Sequence, residues 1–377
     1  MSDRRPRLDG LSSLRFFAAV GIFFFHAFAM KSFGWAPQWA QHLAELGYIG
    51  VSFFLVLSGF VLVYGFAGRP IEKWGFWRSR LARVYPAYLF SLLFVGTFFF
   101  YAIFMLDIPE LAWFKAHPLA TILLCLTLLQ AWVPPAALGW NAPGWALSVF
   151  WFYYLIFPGV LRWAERRKTQ VLWTVAVVAW IAAVGLSIAY VIVKPDHVQY
   201  ANPYHINLFW LNALKFNPAV RLPEFLLGVA LGFQVIRSER WKRYGVQMVL
   251  GGVVLLAVLI AVRPLVPYPV MHTGLAAPAF LLLIWGVAAK PKLTALLETK
   301  PFVILGDVSL SFYLLHSNIL GMMVYAGGGI PRVSPSITFF ALFVSIVASV
   351  VVYMVIEIPA RRWLEGKPRT QAGAVAA

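Results

Sequence analysis

The sequence predicts an all-α, polytopic integral membrane protein of about ten transmembrane helices. Three observations carry this. The chain is 61% hydrophobic and only 12% charged, where soluble domains carry about 25% charged residues. Its mean hydropathy is +0.78. Apolar runs long enough to cross a bilayer, which takes about 20 residues, recur from near the start of the chain almost to its end. Residues 1–364 therefore read as one membrane domain, and 365–377, with "KPRTQAGAVAA", as a disordered cytoplasmic tail.

The candidate spans are 12–30, 47–66, 84–106, 117–133, 145–163, 172–193, 222–236, 246–262, 270–288, 304–325 and 336–357. The first follows basic residues, as a signal peptide does, but it is long and no A-x-A cleavage pattern follows, so it reads as a retained span. Charge then tests the count, because Lys and Arg concentrate in cytoplasmic loops. Arg4, Arg5 and Arg7 place the N-terminus inside, and Arg69, Lys73, Arg78, Arg80 and Arg83 place the next loop inside as well. If 117–133 spanned, the basic run "RWAERRK" at 162–168 would fall outside. If it does not, that run and the later clusters at Arg237–Arg243, Lys290–Lys300 and Arg361/Arg362 are all cytoplasmic. The expectation is ten spans with both termini inside. Segment 117–144, with its "WVPPAALGWNAPGW", is then re-entrant or packed on the outer side, since irregular backbone survives at membrane depth only when protein covers it or it lines a cavity.

The net charge of +17 belongs to this membrane setting of loops and anionic headgroups. No soluble segment is large enough to present a basic face to nucleic acid. Cys125 is the single cysteine, which excludes an intrachain disulfide, and it reads as a packed apolar thiol.

Four stretches carry groups that are costly in lipid. Arg15 and His26 lie eleven residues apart in the first span. They fall within about 20° of one helix face and about 16 Å apart along the axis. Intramembrane ionisable groups normally face an interior cavity; the bland alternative has Arg15 snorkelling to headgroups and His26 satisfied by a carbonyl. In "GDVSLSFYLLHSN", Ser309, Tyr313 and His316 share a face, either as a site or as polar glue between helices. In "RLPEFLLGVALG", Glu224 pairs with Arg221 or with a substrate. In "FWRSRLARVYPAY", Arg80 and Arg83, with Arg78 close by, stand at the inner mouth of a span as phosphate-binding forks or as an ordinary positive-inside cluster. Glu357 reads as the partner of a cytoplasmic arginine. Together these fit a phosphate-rich donor docked on arginines. Its long arm reaches inward to a histidine that acts as general base on an acceptor hydroxyl. A coenzyme A thioester has this shape.

These motifs, in this order, resemble the acyltransferase-3 family of bacterial membrane O-acyltransferases. "LSSLRFFAAVGIFFFH", "GVSFFLVLSGFVL", "RSRLARVYP", "GWALSVFWFYYLIFP", "RLPEFLLGVALG", "SLSFYLLH" and "IEIPARRW" cover nearly the whole chain. The resemblance implies transfer of an acetyl or other short acyl group from cytoplasmic acetyl-CoA, without a metal, to a hydroxyl of a cell-surface carbohydrate or lipid-linked glycan. It implies a multi-pass protein of the bacterial inner membrane. His26, His316 and Tyr313 are the expected catalytic set. Arg15, Arg78, Arg80 and Arg83 would hold the donor, and Trp145, Ser148, Arg221 and Glu224 the substrate. The family commonly has Glu where this chain has Phe150, so Phe150 marks the position of an absent carboxylate. Two rival readings stand beside this one: a transporter or flippase, since buried His, Arg and Glu also mark transport pathways, and an inactive acyl-CoA-binding relative.

Overall fold

A computed structural model describes residues 5–106, 108–326 and 334–365. Among these residues every regular element is helical. Helix α1 (Asp9–Ala29) is followed by the short α2 (Gln38–Glu45), α3 (Gly50–Phe66) and α4 (Lys73–Met105). Glu72 starts α4 by accepting hydrogen bonds from the backbone N–H groups of Trp74, at 2.9 Å, and Gly75. Next come α5 (Ala112–Ala116), α6 (Pro118–Leu126), α7 (Trp145–Glu165) and α8 (Thr169–Val193). The short α9 (Phe209–Phe216) leads into α10 (Pro218–Arg237), where Asn217 caps the Ala219 N–H at 2.9 Å and Pro218 fills a position whose N–H needs no partner. The chain continues with α11 (Gly245–Val262), α12 (Tyr268–Val270), α13 (Ala277–Ala288), α14 (Lys300–Asp307), α15 (Ser309–Ala326), α16 (Pro335–Val352) and α17 (Ile358–Glu365).

Among the described residues nine helical stretches are long and apolar enough to cross a membrane. They become ten when α14 and α15, bent by 64° at one break, count as one span. This matches the sequence expectation, including the exclusion of 117–144. That segment folds as the nine-residue α6 followed by three short 3₁₀ turns, too short to span. Cys125 is buried within it and donates to Gly139 O at 3.5 Å. Glu365, read as the first tail residue, closes α17; residues 366–377 lie outside the described residues.

Lipid tails are as apolar as leucine, so packing rather than burial from water holds such helices together. The sequence meets this with glycines at the central contact. A Cβ at Gly228 would lie 1.9 Å from Val56 O, and one at Gly59 would lie 2.1 Å from Phe225 O. Only glycine lets α3 and α10 approach this closely. In the most apolar stretch of Gln38–Phe66, which holds α3, and of Tyr268–Ala288, which holds α12 and α13, 72% of residues are buried, against 17% for α8 and 22% for the stretch that holds α11. The first two are therefore central and the last two form the lipid-facing rim.

The loops gather at two ends. Arg5 donates to Tyr64 O and Ala67 O, Gly68 N–H to Glu165, and Arg237 to Arg167 O and Ala164 O. Arg7 pairs with Asp307. This is the basic end. At the opposite end Thr338 donates to Ser32 O, Arg263 pairs with Glu45, and Asp196 accepts from Tyr190 and Trp210.

Candidate active site

A cavity of about 720 Å³ opens among α1, α3, α4, α7, α15 and the C-terminal helix. Its basic-end wall carries Arg5, Arg7, Arg15, Arg80, Arg83 and Arg361, against the two carboxylates Asp307 and Glu357. Three of these arginines are occupied: Arg5 by the two carbonyls above, Arg7 by Asp9 and Asp307, and Arg361 by Glu365. Arg80 lies over the rings of Phe66 and Phe76, at 5.5 and 5.7 Å. Arg15 and Arg83 form no ion pair with any described carboxylate. Cationic forks without counter-charges in a membrane-embedded cavity suit a polyanionic ligand.

The far end of the cavity is apolar. Helices α3 and α7 run toward the basic end, so Val51, Phe54, Leu147 and Phe150 line the deep part, and Tyr313 is the deepest lining residue of α15. The Tyr313 and Phe54 rings meet at 6.1 Å. One helical turn beyond Tyr313 lies His316, with ring centres 6.0 Å apart, and the His26 ring lies 5.2 Å from that of His316. The fold thus joins the two histidines and the tyrosine that the sequence offers as candidates, from helices α1 and α15.

His316 is fully buried. Its Nδ1 stands 3.0 Å from Phe312 O. A carbonyl only accepts, so Nδ1 carries the proton and Nε2 is left with its lone pair, as an acceptor. That Nε2 is buried and has no hydrogen-bond partner. A buried imidazole with one nitrogen fixed and the other vacant offers a hydrogen-bond acceptor of set direction.

The other sequence candidates lie elsewhere. Arg78 is exposed and outside the cavity wall. Phe150 is in the wall, between Leu147 and Tyr154. Ser148 is buried, with Ala131 N–H directed at its oxygen at 3.4 Å, and Trp145 packs on Phe216 at 4.8 Å. Neither touches the cavity. Glu357, expected to pair with an arginine, instead accepts from Ser311; α17 leaves Arg361 nearer its own Glu365.

Arg221 and Glu224 form a second buried group near the opposite end of the bundle. Both are 2% exposed or less. Arg221 makes a two-pronged contact with Glu224, with Nε 2.7 Å and Nη2 3.1 Å from its carboxylate oxygens. It also donates to His272 O at 2.7 Å, His272 Nδ1 at 3.0 Å and Ser52 Oγ at 3.3 Å. Of the two readings of Glu224, the geometry shows the arginine partner. The sequence reading missed His272. Its signal was "HTG" at the start of a span: Thr273 leaves helical geometry and Gly274 has φ +82°, where a glycine is needed. Among the described residues no group of three or more His, Cys, Asp or Glu is placed to hold a metal ion.

Comparison with known proteins gives a family and several relatives. A family model described as an acyltransferase domain matches residues 8–354. The chain is 31% identical to acyltransferase MdmB of Streptomyces mycarofaciens over 99% of its own length and 96% of that protein. It is 26% identical to O-acetyltransferase OatA of Staphylococcus aureus (strain NCTC 8325 / PS 47) over 95% of its length, but spans only 58% of that protein. It is 24% identical to the exopolysaccharide production protein ExoZ of Rhizobium meliloti (strain 1021), covering 87% of this chain and 93% of that one. No solved structure matches the chain.

Proposed function

Because the chain belongs to the acyltransferase-3 family, we propose that this membrane O-acyltransferase moves an acetyl or other short acyl group from acyl-CoA to a carbohydrate hydroxyl. The observation that carries the donor is the arginine cavity, with Arg15 and Arg83 unpaired at its basic end and an apolar inner end at Tyr313, whose ring adjoins that of His316 and, beyond it, that of His26; neither histidine lines the cavity. The nucleotide phosphates of the donor rest on Arg15, Arg80 and Arg83. The pantetheine arm lies along Leu57, Phe54 and Leu147, and the thioester reaches Tyr313.

His26 then takes the proton of the acceptor hydroxyl as general base. The oxygen attacks the thioester carbonyl, the new C–O bond forms, the C–S bond breaks, and the departing thiolate takes up the proton. His316 stands behind His26 with its vacant Nε2, and Tyr313 supplies a hydroxyl beside the carbonyl. In this reading the basic end is cytoplasmic, both termini are inside the bacterial inner membrane, and the acceptor comes from the opposite end. The name of the O-acetyltransferase OatA favours an acetyl group moved to oxygen, and that of the exopolysaccharide production protein ExoZ favours a glycan acceptor, polymeric or lipid-linked.

The test is turnover of labelled acetyl-CoA by the purified protein in bilayers, beside His26→Ala. The expected loss is about 10²–10⁴-fold in a variant that keeps its melting temperature. Turnover unchanged in His26→Ala removes the histidine from the chemistry. Binding of acetyl-CoA with no thioester loss in either protein identifies a binder that lacks transfer.

A further inference from the structure

Lys215 is 3% exposed, yet no carboxylate or hydrogen-bond acceptor among the described residues meets its ammonium. Its Nζ lies over two aromatic faces instead, 4.7 Å from the Phe216 ring centre and 5.5 Å from that of Tyr268. Tyr268 packs on His272 at 5.5 Å, so the lysine adjoins the Arg221 group. The carboxylate of that group is already committed, since both Glu224 oxygens face the Arg221 guanidinium. The lysine is left without a counter-charge in a buried site, where an unpaired ammonium is costly.

The surroundings carry further unmet polar groups. Thr273 Oγ1, Tyr153 Oη and Asn212 Oδ1 are buried without partners. Thr273 follows His272, Asn212 lies one turn before Lys215 on α9, and the Tyr153 ring stacks 4.6 Å from Phe225, the neighbour of Glu224. Buried orphans are rare in folded proteins and mark a place that something else fills. The helix is also broken here, at Thr273 and Gly274. Interrupted helices at membrane depth are tolerated where they build a cavity or a substrate site. Aromatic rings complete the set: Tyr48 stacks on His272 at 5.4 Å, and Trp145 meets Phe216 at a tilt, with ring centres 4.8 Å apart. Tyr48 also touches Phe25, the residue before His26, at 5.4 Å.

We infer that Lys215, Thr273 and the rings around them form an acceptor subsite that takes the oxyanion of a negatively charged sugar. The inference rests on the acyltransferase reading for the identity of its ligand as the acceptor. The lysine meets the charge, the rings take the sugar face, and the orphan hydroxyls meet sugar hydroxyls. The oxyanion is a carboxylate, as in a sugar acid, or a phosphate, as in a phosphorylated or lipid-phosphate-linked sugar.

The test is binding of three soluble probes, glucuronate, glucose 1-phosphate and glucose, to the full chain in nanodiscs. Affinity is read from the concentration dependence of the unfolding temperature. The expected result is at least about tenfold tighter binding of an anionic probe than of glucose, the scale of one charge-assisted hydrogen bond. Lys215→Met should abolish that preference and Lys215→Arg should retain it; Lys215→Gln replaces the Met variant if the latter does not fold. Preference for glucuronate alone assigns a sugar acid, and preference for glucose 1-phosphate alone assigns a phosphate-bearing acceptor. Equal binding of all three probes, no binding of any, or a preference that survives in Lys215→Met overturns the site. Acetyl-CoA turnover measured on the same preparations separates the two readings. Charge-selective binding without turnover removes acyl transfer and leaves the anion site standing, whereas turnover without charge selectivity removes only the subsite.

Discussion

Two arginines inside this bundle are treated in opposite ways. Arg221 is fully buried and spends its guanidinium on Glu224, Ser52 and both the carbonyl and the ring of His272. Arg15 lines an open cavity and meets no carboxylate among the described residues. A saturated guanidinium holds helices α3, α10 and the broken segment before α13 in register. An unsaturated one is kept available for something that comes and goes. The number of donors already used, rather than burial or residue type, separates the structural arginine from the functional one.

The contrast breaks most visibly at Arg221. Arg221→Met removes the counter-charge of the buried Glu224, which costs about 3–5 kcal/mol for a buried pair. The expected result is a large drop in melting temperature in detergent, with much of the purified protein unfolded. A variant as stable as the parent would show that the network is dispensable to the fold.

The converse holds at Arg15. Arg15→Met should leave the melting temperature almost unchanged and weaken acetyl-CoA binding by about tenfold or more, the worth of one or two charge-assisted hydrogen bonds. Isothermal titration with acetyl-CoA reads this directly. Unaltered affinity would detach Arg15 from the donor.

The smallest effect is expected at Phe150. Phe150→Glu places a carboxylate in the cavity wall where the family commonly carries one, and turnover should rise severalfold without a change in fold. A folded Phe150→Glu protein with parental turnover would show that this carboxylate has no role here.

Much of this architecture is legible in the chain. Ten spans follow from hydropathy once the basic loops are made to agree on one side, and the Pro-rich 117–144 segment is correctly left out of the count. The eleven-residue spacing of Arg15 and His26 and the face shared by Tyr313 and His316 are helical periodicities, so their convergence needed only that α1 and α15 be neighbours. Other features depend on tertiary packing that no local pattern reports. Lys215 falls in an aromatic, proline-rich stretch that reads as an external loop, and it is buried because α9 tucks beside α10 and the broken segment. Arg5, Arg7 and Arg361 look like ordinary topology signals, and only the fold brings them to the cavity mouth. Arg78 differs from Arg80 by about 200° of helix rotation, which puts the first outside and the second in the wall.

Helix α4 has 33 residues, a length of about 50 Å, while the hydrocarbon layer is about 30 Å thick. Its first turns therefore project into the polar layer. Exposed Trp74 is the kind of residue that settles at that boundary. Arg80 and Arg83 lie only two to three turns further along, so a placement with Trp74 at the boundary brings the mouth of the arginine cavity close to the lipid phosphates. The membrane that dissolves the protein is thus also a competitor for its arginines. Acidic lipids gather cations at the surface, repel a polyanionic ligand and offer their own phosphates to the same forks. If acyl-CoA is the ligand, as proposed, its apparent affinity becomes a property of the bilayer's composition as much as of the chain.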